Sequence, residues 1–313
     1  MREIDCVEHG GRRKGLIDFS ISVNPYQPEW KKEIFRMAER QCISYPYFEE
    51  LEKELSELVG EEVSLVGGAT EGIYLSLIHL KRVGVERVVI PTPTYSEYER
   101  VSRMFGLKIV KEEQNPNKIA ERIGKGDAVF FCNPNNPDGR YFGLEEIKPL
   151  IERIEEKKAV MILDEAFKDF VKNFRSPEGE NLIKLRTFTK SYGMPGIRVG
   201  YVAGLANEIK SLRMPWSIGS IGKAFVEKVI EDGFRFLRES IPKVWKEKKR
   251  IEKELEVKSD ANYFLIKFNP ISLFEKGIIV RDCSSFGLPG YIRFCVRRPE
   301  ENSVLIDIIR GKA

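Results

Sequence analysis

The chain has 313 residues, 42% of them hydrophobic, enough for a large α/β domain with a smaller one appended. Its 52 Lys and Arg nearly balance 48 Asp and Glu and are interspersed with them, which argues against a broad nucleic-acid-binding face. No apolar run approaches the roughly 18 to 20 residues that cross a bilayer, and the charged N-terminus, MREIDCVEHGG, does not resemble a secretory signal.

The five cysteines, Cys6, Cys42, Cys132, Cys283 and Cys295, are scattered and never spaced as CxxC. That spacing argues against a disulfide framework or a zinc site and fits a reducing cytoplasm. No fixed-period repeat or low-complexity segment is present.

From about residue 46 the pattern alternates. FEELEKELSELVG predicts an amphipathic helix, VSLVGG a strand, EGIYLSLIHLKRVG a helix, RVVIPTP a strand, SEYERVSRMFG a helix, and LKIVKE and AVFFCNP two strands. After those come the helix LEEIKPLIERIEEKK, the strand AVMILDEAF, then LRTFTK and IRVGYVAG. Short, two-sided apolar strands alternating with helices imply crossover connections, hence a three-layer α/β sandwich with a mostly parallel central sheet.

Residues from roughly 221 to 257 read as almost wholly helical. Within them KVWKEKKRIEKELEVK places Val244, Ile251, Leu255 and Val257 near helical spacing with acids among the lysines, the signature of a solvated helix face. NYFLIKF, GIIVRD, YIRFCVRR and NSVLIDIIRG then form a smaller α+β unit. The expected division is an N-terminal arm over 1–45 that joins the small unit, a large cofactor-binding unit over 46–228 and a C-terminal small unit over 229–313.

The polar residues gather at the carboxyl ends of strands, where α/β proteins place their chemistry. GGATEG (Gly67 to Gly72) follows a strand and opens a helix, so its amides can meet a phosphate. PTPTYSEY supplies Tyr95, CNPNNPDG three asparagines, and LDEAF ends an apolar strand with Asp164. An acid there is costly to bury unless a cation faces it.

TFTKSYGMPGIRVGY carries Lys190 with no helix face and no acidic neighbour at helical spacing. A desolvated lysine loses its proton readily and can form a Schiff base with an aldehyde. Pyridoxal 5'-phosphate brings that aldehyde, a phosphate suited to a helix N-terminus and a ring nitrogen suited to an acid. Lys190 would then hold the cofactor carbon, Asp164 the protonated ring nitrogen, Asn136 the phenolic oxygen and Tyr95 the ring face. Ala69 and Thr70 would give amides to the phosphate, with Thr187 and Arg198 adding a hydroxyl and a positive charge.

NPNNPDG, LDEAFKDF and TFTKSYGMPGIRVGY, in this order and spacing, resemble the pyridoxal-phosphate enzymes of the aspartate-aminotransferase fold, in the histidinol-phosphate aminotransferase branch. The resemblance covers nearly the whole chain. HGG, DFSISVNP, MPWSI and VRDCSSFGLPGYIRFCVR are further similar to the threonine-phosphate decarboxylase family of that branch.

The resemblance implies a homodimer with composite sites, in which Tyr45 of SYPYFEEL reaches the neighbouring subunit's cofactor phosphate. It also implies that Arg293 grips a substrate carboxylate and that Arg281, beside Ser284, Ser285 and Gly287, lies near a substrate phosphate. HGG, with His9 and Gly10, could form an anion-binding nest with Asn24. Phe167 stands where the aminotransferases of the branch carry a tyrosine that contacts the ring's phenolic oxygen, and the chain is shorter than most members.

The activity expected from this resemblance is decarboxylation of O-phospho-L-threonine to 1-aminopropan-2-ol phosphate in cobalamin synthesis or salvage. The alternative is an aminotransferase such as histidinol-phosphate aminotransferase, and a more remote one is a non-catalytic pyridoxal-phosphate-binding protein. On each reading the partners are a small phosphorylated amino-acid-like substrate and a second copy of the chain. Nucleic acid, membranes and metals have no expected part.

Overall fold

The computed structural model describes Gly10, Gly11 and residues 16–311. The N-terminal stretch contributes β1 (Ile17–Asp18) and α1 (Lys31–Gln41). Next come α2 (Glu49–Val59), β2 (Val63–Val66), α3 (Ala69–Arg82), β3 (Arg87–Thr92) and α4 (Glu97–Met104). They are followed by β4 (Lys108–Glu113), α5 (Pro116–Arg122), β5 (Ala128–Cys132), α6 (Leu144–Lys157) and β6 (Val160–Asp164). The sheet ends with β7 (Leu182–Thr187), the single-turn α7 (Phe188–Ser191) and β8 (Gly200–Gly204).

These strands form one seven-stranded sheet in the order β2-β8-β7-β6-β5-β3-β4. Only β8 runs against its neighbours, pairing antiparallel with both β2 and β7. The other strands therefore deliver their carboxyl ends to one edge.

Each face of the sheet is covered, as its apolar strands require. On β5, Ala128, Phe130 and Cys132 face a core with α3 and α4, while Val129 and Phe131 face a second core with α5 and α6. Ile147, Leu150 and Ile154 of α6 recur at three- and four-residue spacing, which gives that helix a single buried stripe. A third core joins Leu65 and Tyr201 to α1, α2 and α9 (Ser220–Asp232), whose range follows α8 (Ala206–Lys210). The three-layer α/β sandwich with its mostly parallel sheet is thus what the structure shows.

The C-terminal unit is built from α10 (Arg235–Leu255), β9 (Tyr263–Lys267), α11 (Pro270–Glu275), β10 (Ile278–Ile279), β11 (Arg281–Asp282), β12 (Tyr291–Cys295) and α12 (Pro299–Ile309). Its sheet runs β11-β12-β9, antiparallel throughout, and β1 pairs parallel with β10. The N-terminal stretch is thus shared: β1 joins this unit, whereas α1 packs on α9 beside the large sheet. The sequence periodicity ran to Val257, but α10 stops at Leu255 because Glu256 turns left-handed at φ 54.

The two sheets are tethered at the loop after β5. Gly139 carbonyl accepts from the Asp260 amide at 3.0 Å, the Tyr141 amide donates to Asp260 Oδ2 at 2.9 Å, and the Tyr263 hydroxyl donates to Asn135 carbonyl at 2.8 Å. Only glycine permits this approach at 139, where φ is 74 and a Cβ would lie 2.1 Å from Ser259 Oγ.

Behind the rim, Arg186 is sealed between the carboxylates of Glu165 and Glu61, with its third nitrogen on Ser176 Oγ at 3.2 Å. Removing the cation alone strands a buried carboxylate, at about 3–5 kcal/mol. Arg186→Ala is expected to lower unfolding free energy by about that amount in a denaturant titration. A change within about 0.5 kcal/mol would contradict this account of the triad.

Candidate active site

The carboxyl edge of the sheet opens into a cavity of about 690 Å³ that reaches the C-terminal unit. Asp164 ends β6 in register with Cys132 of β5, and Lys190 lies on the turn just after β7. Both line the cavity, with Ala69, Thr70, Tyr95, Asn136, Thr187, Arg198, Arg281, Arg293 and Gly10. The topology thus gathers these residues from strand ends spread over the whole chain.

The loop after β5 explains its excess of asparagine. Asn133 exchanges two hydrogen bonds with the Phe142 backbone, at 2.9 and 2.8 Å. Asn135 accepts from the Thr94 hydroxyl at 2.9 Å and donates to Pro93 carbonyl at 3.1 Å and to Asp138 at 2.9 Å. With these two holding the loop, Asn136 is left facing the cavity, where its Oδ1 accepts from Arg293 Nη1.

Asp164 is 5% exposed, and burial pushes its pKa up. The Tyr98 hydroxyl at 2.7 Å and the Ala166 amide at 2.9 Å oppose that rise by donating to the carboxylate. Lys190 is displaced in the other direction. Withdrawal of its ammonium from water, then the nearby Arg293 and Arg198 charges, push its pKa down to about 8, against the pull of Asp164. Around pH 8 and above, a substantial fraction of this amine is unprotonated and nucleophilic.

At the other end of the cavity, Gly68 caps α3 with φ 87, and a Cβ there would sit 2.6 Å from Arg198 Nη2. The glycine therefore creates a cradle in which helix amides and a guanidinium converge. Thr187 Oγ1 accepts from the Thr189 amide at 3.3 Å and donates to Val199 carbonyl at 3.0 Å, which holds the lysine turn against β8. A lysine that sheds its proton, a buried carboxylate and a helix N-terminus beside a guanidinium, in one cavity, fit pyridoxal phosphate.

The C-terminal sheet contributes Arg281 and Arg293, directly opposite one another across the β11–β12 ladder. Like charges in that position destabilise a sheet unless other groups compensate them. Both are buried, at 7% and 8% exposure. Arg281 Nη2 donates to Ser285 Oγ at 2.7 Å, and Arg293 Nη2 to Ser20 carbonyl at 3.2 Å.

Two expected residues lie elsewhere. Asn24 does not line the cavity: its Nδ2 donates to Ser191 carbonyl at 2.8 Å and Ser240 Oγ at 2.9 Å, and its amide to Lys190 carbonyl at 2.8 Å. It clamps the lysine turn from below and has no donor left for a nest with HGG. Tyr45 is 69% exposed, stacked on Trp216 with ring centroids 4.3 Å apart, and is outside this cavity. His9 lies outside the described residues, whereas Gly10 is at the cavity wall.

The sequence reading missed Tyr98, Ser22 and Glu97. Ser22 is 1% exposed and lines the cavity, and its hydroxyl and the buried Nε of Arg293 have no hydrogen-bond partner among the described residues. The SEY of PTPTYSEY was the available signal for Glu97 and Tyr98, because a helix opening at a strand's carboxyl end points its first turn into the cleft.

Residues 14–309 match the family model "Aminotransferase class I and II", and the chain belongs to that family. Its members use pyridoxal 5'-phosphate. Within the family the chain is 33% identical to histidinol-phosphate aminotransferase 2 of Archaeoglobus fulgidus, over 95% of this chain and 93% of that protein. It is 30% identical to a putative threonine-phosphate decarboxylase of Caldanaerobacter subterraneus subsp. tengcongensis, over 97% of this chain and 93% of that one. Its fold superposes on the histidinol-phosphate aminotransferase of Clostridium acetobutylicum with a TM-score of 0.84 and 26% identity, covering 95% and 98% of the two chains.

The depressed pKa of Lys190 has a direct consequence for the apoprotein. Because the reactive form is the neutral amine, capture of pyridoxal by Lys190 is expected to rise with pH and reach half its limit near pH 8. Peptide mapping after borohydride reduction reads that profile. A midpoint near the ordinary lysine value of about 10.4, or label on another lysine, would contradict the assignment.

Proposed function

We propose that this chain is a pyridoxal-phosphate-dependent aminotransferase acting on a small phosphorylated amine, with histidinol phosphate as the substrate suggested by its relatives' names. The observation that carries the proposal is the cross-strand Arg281/Arg293 pair facing the same cavity as Lys190. An aminotransferase binds two substrates in turn at one site, and two fixed cations can serve a phosphate on one and carboxylates on the other. When bound, the cofactor supplies an electron sink for whichever substrate Cα bond stands perpendicular to its ring.

The protein's part is orientation and proton transfer. In this reading Arg293 grips a carboxylate, Arg281 with Ser285 grips the distal anion, and Lys190 moves the proton at Cα. Asn136 donates to the ring's phenolic oxygen, and Tyr95 covers the ring. Ala69, Thr70, Thr187 and Arg198 surround the phosphate, and Asp164 holds the ring nitrogen. Gly10 closes the wall, and His9 is retained as a candidate contact to substrate phosphate. Tyr45 is assigned to the cofactor phosphate of a second copy, for which its exposure and its distance from its own cavity argue. The division into segments 1–45, 46–228 and 229–313 belongs to the same proposal, with α1 attached to the large unit.

A second reading, decarboxylation of O-phospho-L-threonine, is favoured by Phe167 and by the decarboxylase among the relatives. Phe167 lies on the cavity wall with Lys190 Nζ 5.6 Å from its ring centre, and it cannot donate a hydrogen bond to the phenolic oxygen. Two parallel incubations separate them. Purified enzyme with histidinol phosphate and 2-oxoglutarate is expected to form glutamate, and with phospho-threonine to release no CO₂; the reverse pattern would install the decarboxylase.

Breaking a desolvated charge pair on one side costs about 3–5 kcal/mol, so Arg293→Ala is expected to lower kcat/KM by roughly two to four orders of magnitude in either reaction. Retention of full activity would remove Arg293 from the site. Tyr45→Phe is expected to weaken cofactor retention about tenfold or more, the value of one charge-assisted hydrogen bond, in a protein that sediments as a dimer. A fully active monomer would refute the composite site.

A further inference from the structure

Tyr98 is absent from the roles above, yet it is completely buried and makes one directed contact to them. Its ring stacks on Phe130 at 4.6 Å and 8°, and meets Tyr95 edge-on at 5.5 Å. With the ring wedged this way, the hydroxyl reaches Asp164 Oδ2 at 2.7 Å, with the Cys132 thiol beside it. The other carboxylate oxygen takes the Ala166 amide at 2.9 Å.

We propose that Tyr98 is a positioning residue that keeps the proton on the cofactor ring nitrogen rather than on Asp164. The inference rests on the assignment of Asp164 to that nitrogen. A proton shared between a carboxylate and a pyridine nitrogen can reside on either atom, as a carboxylate with a pyridinium or as a carboxylic acid with a neutral pyridine. Burial favours the uncharged arrangement. A hydroxyl that donates to the carboxylate stabilises only the charged arrangement and shifts the proton to nitrogen. The protonated ring is the stronger electron sink.

The other groups around Asp164 do not substitute for this bond. Lys190, from the turn after β7, favours the carboxylate by charge, but in the loaded enzyme its nitrogen is committed to the cofactor. Glu165, next in the chain, opposes ionisation, and Arg186 holds it on the far side. Cys132 of β5 donates to Pro134 carbonyl at 3.3 Å, and the Tyr263 hydroxyl of β9 is committed to Asn135. Tyr98 and the Ala166 amide are the direct donors to the Asp164 carboxylate among the described residues.

The experiment loads the protein with ring-¹⁵N pyridoxal phosphate and records the nitrogen resonance between pH 6 and 9. Wild type is expected to show a protonated ring nitrogen across this range. Tyr98→Phe, which keeps the stack on Phe130, is expected to move the resonance toward the unprotonated position, with about a tenfold or larger change in the ratio of the two forms, as loss of a hydrogen bond to a charged group implies. Phe130→Leu, which loosens the packing but keeps the hydroxyl, is expected to leave the resonance in place.

An unchanged resonance in Tyr98→Phe overturns the proposal, as does an equal shift in Phe130→Leu. If Tyr98→Phe does not fold, wild type still decides, because an unprotonated nitrogen there overturns the proposal by itself, while protonation lost on replacing Tyr98 with the weaker donor 4-aminophenylalanine supports it. Failure to bind the cofactor at all would instead overturn the proposed function.

Discussion

The withdrawal of charge from water at the carboxyl edge of the sheet is the constraint on which the rest of this structure depends. Two solutions to it stand in the two sheets, one on β7 and one on β12. Arg186 is neutralised internally by Glu165 and Glu61, a closed triad that asks nothing of a ligand. Arg293, equally buried, hydrogen-bonds to an amide oxygen and a backbone carbonyl, neither of which cancels its charge. It also faces Arg281 across the ladder, which lowers its affinity for a proton further. Among the described residues, then, one arginine is sealed between acids while the other has no acid to cancel its charge, which is why the proposed function gives it a substrate anion.

The same electrostatics reach Lys190. Part of the depression of its amine comes from Arg293 and Arg198, residues assigned to other anions. Binding of a phosphate at Arg198 or a carboxylate at Arg293 cancels positive charge beside the lysine, so occupancy of the anion sites and basicity of the amine are linked. That linkage requires the two sheets to hold a fixed separation. The glycine at 139, the Asp260 carboxylate and the Tyr263 hydroxyl supply it by fastening the start of β9 to the loop that carries Asn136.

What the sequence made legible follows from the range of each interaction. Strand and helix identity depend on local periodicity, so VMILD and LEEIKPLIERIEEKK could be read directly, as could the strand-end placement of Asp164 and Lys190. The arrival of Tyr98 at Asp164 depends on how α4 docks beside β5 and β6, a contact 66 residues apart that no local pattern encodes. Asn24 shows the converse. Its position in DFSISVNP suggested a ligand contact, but its donors are taken by Ser191 and Ser240, far away in sequence. Glu256 halts α10 through its own left-handed backbone, a feature that a count of apolar positions does not contain.

The choice between breaking a Cα–H bond and a Cα–carboxylate bond is made by geometry within one electron sink, and most residues of this site serve both. Lys190, Asp164, Asn136 and Arg198 therefore carry no information about it. The informative positions are those that differ in what they ask of the substrate. Phe167 removes a donor to the phenolic oxygen and packs edge-on against Tyr263 at 4.9 Å, so that wall of the cavity is apolar where a tyrosine would be polar. Among the described residues Ser22 and the Nε of Arg293 are buried donors left without partners, and such atoms are retained at a cost unless a ligand oxygen completes them. On the proposed assignment, these two donors would orient a substrate carboxylate, and that orientation would choose the bond that breaks. On that assignment the choice of reaction would rest with the Ser22–Arg293 wall more than with Lys190.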